Sequence, residues 1–69
     1  MRHKVTNDHF LIDELILMFP NTSTTKIRKM LTNNRVELNG EITNQAKKEI
    51  TKGSIIVIKD KIKKILIIN

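Results

Sequence analysis

Between His9 and Phe19 the chain reads HFLIDELILMF, and its apolar positions fall in two neighbouring rows at helical spacing. Leu11, Leu15 and Met18 form one row, and Ile12, Ile16 and Phe19 form the other. So wide a stripe predicts a largely buried helix over residues 8–19. Asn7 or Asp8 is the expected cap, with Asp8, Asp13 and Glu14 toward the positive end of the helix dipole. Pro20 ends the helix, because the residue before a proline is pushed out of the helical region. A short link, Asn21-Thr22, leads to Ser23, whose hydroxyl can cap a second helix. In that helix Ile27, Met30 and Leu31 make one apolar stripe, while Lys26, Arg28 and Lys29 point elsewhere. Asn33-Asn34 is the expected stop, since asparagine tolerates the left-handed conformation.

Beyond residue 34 the period changes from helical to two. Val36 and Leu38 alternate with Arg35 and Glu37, as in a half-buried strand. Asn39-Gly40 is a strong hairpin signal, and Glu41 to Thr43 can return as a short strand. Residues 44–53 are polar, with Ile50 as their apolar anchor and Gly53 as punctuation. A stronger strand, Ser54 to Lys59, follows, then a turn at Asp60-Lys61 and a last strand from Ile62 to Ile68. Residues 1–7 read as a flexible lead-in or linker, and 8–69 as a single domain. The expected class is α+β: two antiparallel helices packed on a small, mainly antiparallel sheet.

The 69 residues contain no cysteine, so neither disulfides nor thiolate–metal sites can support the fold. His3 and His9 have no companion at ligand spacing, and neither a metal nor another cofactor is expected. Phe10 and Phe19 are the only aromatic residues, which disfavours a module that stacks single-stranded bases on exposed rings. The net charge of +6 is unevenly spread. Up to residue 22, Arg2 and Lys4 stand against Asp8, Asp13 and Glu14; after it, eleven Lys and Arg stand against Glu37, Glu41, Glu49 and Asp60. Clustered cations of this kind are the electrostatic footprint of a polyanion binder, although a basic face also serves solubility. No apolar run approaches membrane-spanning length, and the first residues lack the pattern of a signal peptide. A cytoplasmic protein without a membrane partner is the expectation.

The ordered set Asp13, Ser23, Arg28, Val36-Glu37-Leu38-Asn39-Gly40, Ile50 and Gly53 resembles the S-four domain, the RNA-binding module named for small-subunit ribosomal protein four. The resemblance spans about residues 8–58. It differs at several points: Leu11-Ile12 precede Asp13 where the family has an Arg, Ser23-Thr24 stands for Ser-Arg, Asn34 for the turn Gly, and Ser54 for the Asp of Gly-Asp. Ile27 stands where a small residue is usual. The ending GSIIVIKDKIKKILIIN is similar to that of the bacterial tyrosyl-tRNA synthetases, with Lys59, Lys63 and Lys64 at cationic positions. The short segment between Gly40 and Gly53 instead fits stand-alone, ribosome-associated members. The resemblance implies an accessory of translation whose partner is structured RNA, tRNA or rRNA. In one version it works beside a catalytic domain in cis, in the other on the ribosome.

The site implied is a phosphate-binding face. Arg28, Lys29 and Arg35 would contact RNA phosphates, Ser23, Thr24 and Thr25 would add helix-terminal amides, and Lys26, Lys59, Lys61, Lys63 and Lys64 would extend the positive field. Lys47, Lys48 and Lys52 are equally well explained by solubility. Catalysis is not expected: Asp13 and Glu14 diverge by about 100° on a helix, Ser23 has no histidine partner, and no glycine-rich phosphate loop exists. No small-molecule substrate is implied. A helix-turn-helix DNA reader would not need the strand-rich second half. A protein-docking module using the apolar first helix stays open as an alternative.

Overall fold

The computed structural model describes residues 1–59. The turn at Asp60-Lys61 and the strand expected over 62–68 lie outside the described residues. The elements, in chain order, are β1 (Arg2–Lys4), β2 (His9–Phe10), α1 (Leu11–Met18), α2 (Thr24–Thr32), β3 (Val36–Leu38), β4 (Glu41–Ile42), β5 (Glu49–Ile50) and β6 (Ile55–Ile58). Two helices pack with a four-stranded antiparallel sheet of order β1-β6-β3-β4 and a two-stranded β2-β5 ladder, an α+β arrangement.

The strand β6 organises the larger sheet. Its Ile56 and Ile58 face the core while Ile55 and Val57 are half-buried, the alternation a one-sided sheet requires. On one side β3 pairs with it, Glu37 opposite Val57 and Leu38 opposite Ile56. On the other side lies β1, Arg2 opposite Val57 and Lys4 opposite Ile55. The first residues are therefore not a flexible lead-in. They form a strand because β6 would otherwise expose an unpaired edge, and Val5, only 2% exposed, anchors them in the core. The β3–β4 hairpin turns on Asn39 (φ 51°) and Gly40 (φ 90°), a pair of positive φ angles that asparagine and glycine supply.

Helix α1 starts later than its pattern predicts, at Leu11, and neither Asn7 nor Asp8 caps it. Its first amides are satisfied from a distance: Leu11 N–H donates to the Lys48 carbonyl (2.8 Å) and Ile12 N–H to that of Ala46 (2.9 Å). The carboxylate of Asp8 instead accepts the Lys52 amide at 2.7 Å. The buried face of α1 is also narrower than two full rows. Leu11, Ile12 and Leu15 enter the core, but Ile16 is 40% exposed and Leu17 61%. The place beside Leu11 and Leu15 is taken by Glu14, which is 1% exposed.

Helix α2 follows the sequence expectation closely. Ser23 Oγ accepts the Lys26 amide at 3.3 Å, and Ile27, Met30 and Leu31 are buried. The helix closes with a pair of hydrogen bonds, Arg35 N–H to Met30 O (3.0 Å) and Asn34 N–H to Leu31 O (3.1 Å). This is a Schellman motif, and it needs a left-handed residue at the position of Asn34, whose φ is 58°.

Candidate nucleic-acid interface

The Schellman closure decides where the cations meet. It returns the chain so that Arg35 comes to lie beside the last turn of α2, next to Met30. Lys26 and Lys29, one turn apart, lie on the same side of the helix. Together with Thr22 and Asn33 these residues line an open groove of about 410 Å³ that has no carboxylate in its wall. Lys26, Arg28 and Lys29 are all exposed, and Arg35 is half-buried.

Arg35 is also held in place. Its Nε donates to the Lys59 carbonyl at 2.8 Å, while its own carbonyl accepts the Lys59 amide at 2.7 Å. One nitrogen of the guanidinium is thus used internally, and Arg35 also lines the groove. Lys59 contributes less charge than its position suggests, because its Nζ pairs with Glu37 Oε2 at 2.8 Å. Arg28 is not among the residues lining the groove. Ser23 is occupied as the helix cap, and the amides of Thr24 and Thr25, in the first turn, have no intrahelical acceptor. Lys61, Lys63 and Lys64 lie outside the described residues.

A second cluster was not anticipated from spacing. Glu14 Oε2 is 2.5 Å from His3 Nε2 and Glu14 Oε1 is 2.6 Å from His9 Nε2, with the Thr6 hydroxyl and amide also directed at the carboxylate. His3 and His9 do have a companion, therefore, and it is a buried carboxylate. Burial pushes the Glu14 carboxyl up, but hydrogen bonds from His3, His9 and the Thr6 amide, with the electrostatic attraction of His3, outweigh it and hold it below its ordinary value. The signal lay in the helical pattern: Glu14 stands three residues after Leu11, on the apolar row, where a charge must find partners. Among the described residues no group of three His, Cys, Asp or Glu side chains is set to hold a metal ion. Among the same residues no helix is long and apolar enough to cross a membrane.

No protein-family model matches the chain, and a search of curated proteins finds no significant match.

Proposed function

We propose that this domain binds structured RNA by its phosphates, as an accessory to translation. The observation that carries the reading is the convergence of Lys26, Lys29 and Arg35 on one groove without a compensating carboxylate. Cations so placed recognise charge and spacing rather than sequence. The deep, narrow major groove of an A-form helix excludes side chains, so a compact basic face would read the backbone of a folded RNA. The amides of Thr24 and Thr25 add donors at the positive end of α2, and Arg28 widens the field at its flank.

The sequence resemblance to the S-four domain points the same way, and it offers two settings. In a terminal domain of a tyrosyl-tRNA synthetase the target is tRNA; in a stand-alone member it is rRNA. The test is binding to total tRNA and to an rRNA stem-loop across a salt series, with Lys26→Gln/Lys29→Gln/Arg35→Gln beside the unaltered chain. The reading requires a steep negative log–log salt slope that the triple variant reduces by about two to three units. The preferred RNA chooses the setting. Absence of binding to either RNA at low salt would overturn the reading.

The exposed Ile16 and Leu17 on α1 favour a second reading, docking of this helix on a protein. It becomes the better one if the RNA experiment fails.

A further inference from the structure

One turn feeds two grooves. Asn33 and Arg35 line the cationic groove, whereas Asn34 between them, with its positive φ, lines a neighbouring one of about 450 Å³. The second groove has a different chemistry. Its wall carries four side-chain amides, Asn34, Asn39, Asn44 and Gln45, with Ile42 and Lys48. Asn39 is partly engaged, since its Oδ1 accepts the Ile55 amide at 2.9 Å. Among the described residues the side-chain amides of Asn34, Asn44 and Gln45 have no hydrogen-bond partner.

Such a wall suits neither a phosphate nor a purely apolar ligand. Glu41, which also lines it, offsets the charge of Lys48. Amide side chains match groups that present a donor beside an acceptor, as the edges of nucleobases do. Ile42, 51% exposed at the hairpin, gives an apolar surface on which the face of a base can rest. In RNA those edges are accessible in loops and bulges rather than in paired stems. We infer that this groove holds an unpaired nucleobase of the RNA whose phosphates lie along Lys26, Lys29 and Arg35. The inference rests on the RNA reading above and gives the domain a sequence-sensitive element that the phosphate face lacks.

The experiment uses the full chain and five RNAs: a fully paired hairpin and the same stem carrying a single bulged A, C, G or U. The bulged RNAs should bind about tenfold tighter than the paired one, and they should differ among themselves, as one well-placed amide–base pair allows. Asn44→Ala/Gln45→Ala should remove these differences and leave the salt slope unchanged. Both residues are exposed, and circular dichroism checks that the variant is folded. If the unaltered chain does not discriminate, or the double variant discriminates equally well, the base-holding groove is overturned while the phosphate face stands. If no RNA binds at low salt, both fall together.

Discussion

His3 on β1 and Glu14 on α1 meet at 2.5 Å, which ties the first strand to the first turn of the first helix. His9 closes on the other carboxylate oxygen at 2.6 Å. The carboxylate is 1% exposed, so its removal would leave two imidazole donors and Thr6 facing a cavity. Glu14→Ala should destabilise the fold by about 2 kcal/mol, within the range for a broken buried polar network. Glu14→Gln should cost less, because the amide oxygen still accepts from one histidine. The other ring would then have to accept from the amide nitrogen in its alternative tautomer. Urea midpoints of the two variants, with His3→Ala and His9→Ala completing double-mutant cycles, measure both effects.

The depressed carboxyl of Glu14 has a pH consequence of definite sign. The folded-state value lies below the ordinary 4.5, so between the two the unfolded chain binds more protons than the folded one. Its stabilising contribution is therefore complete above the unfolded value and is lost as pH falls through the folded one. Urea midpoints measured from pH 7 to pH 3 should show the unaltered chain and Glu14→Gln converging as the solution becomes acid. A difference that is constant over this range would mean that the carboxyl ionises in the fold as it does in the unfolded chain, without the depression.

Asn34 is the conformational key to the basic groove, since its left-handed backbone brings Arg35 to the side of α2. Asn34→Gly should leave stability nearly unchanged, because glycine meets the same φ without a Cβ. Asn34→Val should cost about 1–2 kcal/mol, the penalty for a side chain that resists the left-handed region. Thermal melts rank the three proteins. Equal stability of the valine variant would place the helix stop elsewhere.

Local signals carry the segment from Ser23 to Gly40: a hydroxyl cap, a three-residue apolar stripe, an asparagine at the helix end and an Asn-Gly turn are each decided by their immediate neighbours. The beginning of the chain is different. Arg2, His3 and Lys4 have no strand propensity to declare, and they become a strand only because β6, more than fifty residues away, presents an edge to them. The start of α1 is likewise set by the carbonyls of Ala46 and Lys48, which no local cap predicts. In the site, the cations were visible as residues, but the grouping of Lys26 and Lys29 with Arg35 rather than with Arg28 depends on the Schellman return. The pairing of Lys59 with Glu37 depends on the neighbouring strands β3 and β6.

Removing residues 1–5 tests the strand directly. Deletion would expose the outer edge of β6, empty the place of Val5 and take His3 from Glu14. A loss of several kcal/mol, or failure to fold, is expected from the combined effects. Unchanged melting of the shortened chain would return these residues to the role of a linker.

The two adjacent cations of α2 should prove unequal in RNA binding. Arg28 and Lys29 are neighbours in sequence but about 100° apart around the helix, and only Lys29 borders the groove with Arg35. Lys29→Gln should lower the log–log salt slope by about 0.7–0.9, the value for one phosphate contact. Arg28→Gln, at the flank, should lower it by less than half as much. Affinity at low salt should follow the same order, since a variant with fewer phosphate contacts releases fewer counterions on binding. If Arg28 proves the more important, the proposed phosphate face lies on the other side of α2, away from the groove at Arg35.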